Sequence, residues 1–176
     1  MSYNYVQTFS GKKFEFLNPS HDSISIIDIS HSLSMICRFN GNTTCHYSVA
    51  EHSLWVESKV SNQFKKQALM HDASEAYIAD IMRPIKKVLP GYNDLEEAIM
   101  MAIASKYGFD WPMSPEVKEA DDRMLMTEKR DLILKTDWDW GVDYVPYDDI
   151  IVPSSQVDVK NRFMKRFEEL FPGGLL

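Results

Sequence analysis

Along most of the 176-residue chain the apolar positions recur three and four apart, the spacing that gathers them on one face of an α-helix. The pattern predicts helices over about 24–39, 47–61, 63–78, 92–107, 115–135 and 155–171, with Asn40-Gly41, Pro84, Pro90-Gly91 and Pro112 as the breaks. The opening "YVQTFSGKKFEFLNPS" follows another rule: aromatic and β-branched residues flank Ser10-Gly11 and Asn18-Pro19 closes the run, which predicts a short hairpin or lid over residues 1–20. Helical core follows over 21–135. The tail, 136–176, begins with "TDWDWGVDYVPYDDIIVP", an aromatic, acidic, turn-rich loop, and ends in a helix. The expected fold is all-α, one domain over 1–176, a helical bundle with a short N-terminal β-hairpin.

Polar residues interrupt these apolar stripes at a few positions. Val49, His52, Val56 and Val60 line up, which carries His52 inward, and Leu69, Asp72, Ala73 and Ala76 do the same for Asp72, with His71 about 100° round the helix. In "PEVKEADDRMLMTEKR" the stripe is Val117, Ala120, Asp121, Met124, Leu125 and Glu128, whereas Asp122 shares a face with Lys118 and Lys129. Periodicity therefore selects Asp121 over Asp122. A buried, unpaired carboxylate is costly, so three helices each presenting an acid or an imidazole to one core need a compensating charge. A divalent cation is one answer, and a mixed His/Asp set suits Zn, Mn, Fe, Co or Ni rather than Ca. The plainer alternative is a hydrogen-bonded core histidine and an aspartate that caps a helix or pairs with arginine.

Composition narrows the classes. A hydrophobic fraction of 44% is enough for a core without disulfides, and the two cysteines, Cys37 and Cys45, suit a reducing compartment. The N-terminus shows no charged-then-apolar leader, and no apolar run approaches the roughly 18 residues of a membrane span. A cytoplasmic setting is expected, the host cytoplasm if the chain is phage-encoded. A formal charge of -7 disfavours a footprint for nucleic acid polymers, while a local basic patch can still take a phosphorylated small molecule.

The string "HDASEAYIAD", with "AEHS" upstream and "VKEAD" downstream, resembles the HD-domain metal-dependent phosphohydrolases. The segment "DISHSLSMICRFNGNTTCHYSVAEHS" and the string "EAYIADIMRPIKK" resemble the small nucleotide-cleaving branch, which contains 5'-deoxynucleotidases and phage dATP triphosphohydrolases; the likeness spans roughly residues 16–130. Carried over position by position, the resemblance implies an HD-domain bundle in which His52, His71, Asp72 and Asp121 hold a divalent transition metal, with an additional Mg as a further expectation. It also implies that Glu75 handles water and Asp80 the leaving group; on spacing alone both also fit a solvated helix face.

Phosphates need fixed cations near the metal, and Arg38, Arg83, Lys86, Lys87 and Lys118 are available. Lys118 precedes Asp121 by nearly one turn, Lys86 resembles a phosphate-contacting position of the triphosphohydrolase branch, and His31 shares a helical stripe with Ile27, Ser34 and Arg38. Each also suits an ordinary surface charge. Phe14, Phe16 and Leu17 offer either an apolar slot for a purine or core packing, and His46 matches no ligand position. The expected activity is a metal-dependent deoxynucleotide phosphohydrolase, with dATP cut to deoxyadenosine and triphosphate; the alternatives are a 5'-deoxynucleotidase acting on monophosphates and a non-catalytic nucleotide- or metal-binding module. The expected partners are a small nucleotide and further copies of the chain, since the Trp- and Tyr-rich loop near 138–147 suits a subunit interface, with neither a nucleic acid polymer nor a membrane.

Overall fold

The computed structural model describes residues 4–174. Two short antiparallel strands, β1 (Tyr5–Gln7) and β2 (Lys13–Glu15), pair in the register Tyr5 with Glu15, Val6 with Phe14 and Gln7 with Lys13. Among the described residues the other regular elements are all helical: α1 (Ile26–Met35), α2 (Val49–Ser58), α3 (Lys65–Met70), α4 (Glu75–Ile78), α5 (Arg83–Lys86), α6 (Tyr92–Tyr107), α7 (Pro115–Leu132) and α8 (Gln156–Leu170), with short 3-10 turns at Arg38–Gly41 and Asn62–Phe64. Among the described residues no helix is long and apolar enough to cross a membrane. The hairpin is fastened rather than free. Ser10 donates through its backbone N–H and its hydroxyl to the two carboxylate oxygens of Asp28, at 2.6 and 2.8 Å, and Phe14 is fully buried with its ring stacked 3.9 Å from that of Tyr77.

Helix starts follow local chemistry. Ser48, Ser114 and Ser155 each accept a hydrogen bond from the N–H three residues on, which caps α2, α7 and α8, and Pro115 occupies the first turn of α7, where its missing N–H costs nothing. Helix α2 packs against α1, α3, α7 and α8 and lies between two apolar clusters. Val49 and Ala50 join the larger one with Ile29, Leu33, Leu69, Ile99, Ile103, Phe163 and Phe167; Val56 joins the smaller one with Tyr47, Val117, Met124 and Ile151. His52, between Ala50 and Val56, is buried where the two clusters meet.

Two of the expected helices are differently built. The helix expected over 24–39 ends at Met35, because Ile36 and Cys37 adopt extended backbone and pair with the strand-like 47–49 segment through Arg38 N–H to Tyr47 O (2.9 Å) and Val49 N–H to Ile36 O (3.2 Å). Arg38 therefore does not continue the face of His31, and the stripe that joined them does not exist. The helix expected over 63–78 is two helices joined through 71–74 by bonds from residue i+3 to i, such as Ala73 N–H to Met70 O and Glu75 N–H to Asp72 O, both 3.0 Å. Side chains cause the change: the His71 ring takes the Ala68 carbonyl at 2.7 Å, and the Ser74 N–H turns to the Met100 sulfur at 3.3 Å.

Candidate metal centre

The tightened turn at 71–74 lets two successive side chains reach one point. His71 Nε2 and Asp72 Oδ2 are 3.2 Å apart, and His52 Nε2, arriving from α2, stands 3.2 Å from His71 Nε2 and 3.7 Å from Asp72 Oδ2. These three residues form a cluster able to hold a metal ion. Asp121 joins from α7, with Oδ1 3.2 Å from His52 Nε2 and 4.0 Å from His71 Nε2. Four groups selected on sequence are thus brought together, and the two imidazoles are fully or nearly fully buried.

The tautomers define the donor set of this cluster. His71 Nδ1 faces the Ala68 carbonyl at 2.7 Å and His52 Nδ1 faces Glu128 Oε1 at 2.6 Å; both oxygens only accept, so both Nδ1 atoms carry the proton. The two Nε2 atoms then point lone pairs at each other and at two carboxylate oxygens, and nothing in the cluster donates to them. One cation satisfies all four. A proton is one such cation: burial and the Arg38 charge push the His52 pKa down, but Glu128 and Asp121 outweigh them and raise it to about 9. A divalent ion with N and O ligands fits the same donor set, since each imidazole is held by its far side in the orientation a ligand needs. The carboxylates are ready as well: despite burial, His71, His52 and Arg38 hold Asp72 well below the usual range, and His52 does the same for Asp121.

Glu128 is the residue whose role spacing alone left unassigned. It is completely buried, and its Oε2 accepts from Arg38 Nε and Nη2 at 3.2 and 3.1 Å, while Arg38 Nη1 reaches Asp72 Oδ2 at 3.5 Å. Its signal was present in the stripe, seven residues after Asp121 and in phase with it. Arg38, expected to meet phosphate, thus spends its guanidinium on a buried ring of charges that runs from His52 through Glu128 to Asp72.

Glu75 and Asp80 lie on the next stretch of chain. Glu75 is buried, its Oε1 is 3.5 Å from Lys86 Nζ and its Oε2 has no partner. Burial, followed by the charges of Asp72 and Asp80, pushes its pKa well up, against Lys86 and Arg38. Burial and Asp72 raise Asp80 too. Between them Ala79 has φ 69 and ψ 158, a conformation costly for any residue with a Cβ, held by its own N–H bonded to Glu75 O (2.9 Å) and by the Tyr92 hydroxyl on its carbonyl (3.0 Å).

The remaining candidates are placed as follows. Lys86 bonds Glu96 at 2.6 Å, and Lys118 bonds Asp122 Oδ2 at 2.9 Å. Asp122 is buried by ion pairs rather than by the cluster, since Arg83 Nη1 also holds it. His31 stacks on Phe9 with ring centroids 3.6 Å apart. Phe14 is core, Phe16 packs against the larger apolar cluster, and Leu17 is 68% exposed. Neither the Phe14 ring nor Leu17 lines a slot with the other.

No protein-family profile matches the chain. It is 42% identical to an Escherichia coli K12 protein described as uncharacterized protein YfdR, over 170 residues that cover 95% of this chain and 96% of that one. An uncharacterized Rhodobacter capsulatus protein is 32% identical over 126 residues, 66% of this chain and 64% of the other.

Proposed function

The chain belongs to the family of the Escherichia coli protein YfdR, and we propose that it is an HD-domain metal-dependent phosphohydrolase acting on deoxynucleotides, with dATP cleaved to deoxyadenosine and triphosphate. The observation that carries this reading is the convergence of His52, His71, Asp72 and Asp121 with both Nδ1 atoms already engaged. His52, His71, Asp72 and Asp121 would hold the ion, a Zn, Co, Mn, Ni or Fe. When bound, such an ion supplies a Lewis acid that neutralises a phosphoryl oxygen and acidifies water.

The protein's own groups do the rest. Glu75, whose carboxyl is pushed up by burial and by the Asp72 charge, accepts a proton from the attacking water at its unpartnered Oε2. Asp80, raised in the same sense, delivers a proton to the O5' of the departing nucleoside. Water oxygen bonds to the α-phosphorus as the bond from phosphorus to O5' breaks. Lys86 and Lys118 border this region and suit a polyphosphate.

A second reading, a 5'-deoxynucleotidase acting on monophosphates, draws support from one observation: Arg38, Arg83, Lys86 and Lys118 are each already paired with carboxylates, which leaves less positive charge for a triphosphate. Incubating the metal-reconstituted protein with each dNTP and dNMP, and identifying the phosphorus product, separates the two. Triphosphate from dATP supports the first; orthophosphate from dAMP with dATP untouched supports the second; no turnover of any nucleotide rejects both.

A further inference from the structure

Arg83 stands on a segment with little apolar anchorage, since no residue from Ala79 to Ala98 is buried. Its place is set by polar ties. The guanidinium forks across two successive carboxylates of α7, with Nη2 2.6 Å from Asp121 Oδ2 and Nη1 on Asp122 Oδ1. Asp122 is itself oriented, because Lys118 Nζ holds its other oxygen at 2.9 Å. The consequence falls on Asp121. With Oδ2 clamped outward by Arg83, only Oδ1 faces the imidazoles, 3.2 Å from His52 Nε2.

We propose that Arg83 is a positioning residue for the metal centre: its fork, steered by Asp122, fixes Asp121 so that a single oxygen is presented to the ion. The inference rests on the metal-centre reading and goes beyond it, because it takes Arg83 out of the phosphate-binding set. Both forked nitrogens that a phosphate would use are occupied by carboxylates. A free Asp121 carboxylate can rotate and offer either oxygen or both, so losing the clamp costs affinity and changes the ligand field. Partners in this outer position typically contribute about 10–100-fold in metal affinity. Lysine is a point charge without a fork, so it restores the contact to Asp121 only in part.

The test titrates the metal-free protein with Co²⁺ and follows its visible absorption, alongside the thermal midpoint of the metal-free form. Arg83→Ala is expected to weaken Co²⁺ binding about 10–100-fold and to shift the absorption bands. Arg83→Lys is expected to recover part of the affinity. Lys129→Ala, on the same helix but bonded to the Trp138 carbonyl and to neither carboxylate, is expected to stay close to the parent. The metal-free midpoint of Arg83→Ala is expected to change little, because the guanidinium is 44% exposed and such pairs contribute weakly to folding. Parent-like Co²⁺ affinity and spectrum in Arg83→Ala, with or without a lower midpoint, overturns the role of Arg83 alone. No Co²⁺ uptake by the parent protein overturns the metal-centre reading and this inference with it.

Discussion

His52 and Glu128, 76 positions apart in the chain, meet with Nδ1 2.6 Å from Oε1, both side chains fully buried. This contact fixes the tautomer that turns the His52 Nε2 lone pair toward His71, Asp72 and Asp121. It also neutralises Arg38, whose guanidinium is held strongly protonated: burial works against the charge, and Glu128 leads the carboxylates that outweigh it.

Glu128→Gln keeps the shape but offers His52 a neutral acceptor and leaves Arg38 with Asp72 as its nearest anion. Metal affinity is expected to fall about 10–100-fold, as for other outer partners of ligating histidines. Glu128→Ala removes the acceptor altogether and leaves a buried guanidinium poorly compensated, so unfolding in urea is expected to show a loss of about 3–5 kcal/mol. Unchanged affinity in Glu128→Gln, measured by competition with a chelating dye, would show that His52 is oriented by packing alone.

Ala79→Gly is expected to raise stability. The φ of 69 with ψ of 158 costs a residue with a Cβ about 1–3 kcal/mol, whereas glycine adopts it freely and gives back roughly 0.5–1 kcal/mol in unfolded-chain entropy. A net gain of about 1 kcal/mol should appear as a higher thermal midpoint. A lower midpoint would mean that the methyl group contributes packing that outweighs the strain.

How far the fold was legible depended on whether its cause was local. The span 92–107 follows from periodicity after the Pro90-Gly91 break, and α6 is Tyr92–Tyr107, bounded in the structure by Gly91 and Gly108, both in left-handed backbone. The stripe through Val117, Ala120 and Met124 likewise carries Asp121 to His52. The broken helix at 71–74 was not legible, because its cause is a side chain, His71, competing for the Ala68 carbonyl that a regular helix would use. The extended turn at Ile36-Cys37 was hidden for a different reason: it exists only because the 47–49 segment lies beside it. Phe14, Phe16 and Leu17 show the limit of composition, since alternation in the hairpin sends Phe14 into the core against Tyr77, while Leu17 lies beyond β2 in the turn closed by Asn18 N–H to Glu15 O and stays in solvent.

Asp121 and Asp122 are adjacent, both buried and both paired with Arg83, yet only Asp121 approaches the imidazoles. Asp121→Asn is expected to weaken metal binding by more than the roughly 10–100-fold of an outer partner. Asp122→Asn keeps the ligand set and loosens only the support of Arg83, so a loss of about tenfold or less is expected. Metal content after exhaustive dialysis reads the difference directly. The reverse order of effects would transfer the ligand role to Asp122.

On the proposed phosphohydrolase reading, Glu75 is expected to separate binding from chemistry. Its carboxylate is buried, its Oε1 is 3.5 Å from Lys86 and its Oε2 is unpartnered, and none of the contacts at the four-residue cluster involves it. Removing it therefore leaves the metal ligands in place. A positioned acid-base group typically contributes about 10²–10⁴-fold to rate, so Glu75→Ala is expected to lose that much in kcat while metal stoichiometry stays at the parent value. Glu75→Gln preserves volume and polarity without a base and is expected to lose activity to a similar extent, which distinguishes proton transfer from packing. Near-parental turnover in either variant at saturating metal would remove Glu75 from the chemistry and make Asp80, which carries the other raised carboxyl of this region, the next candidate for the base.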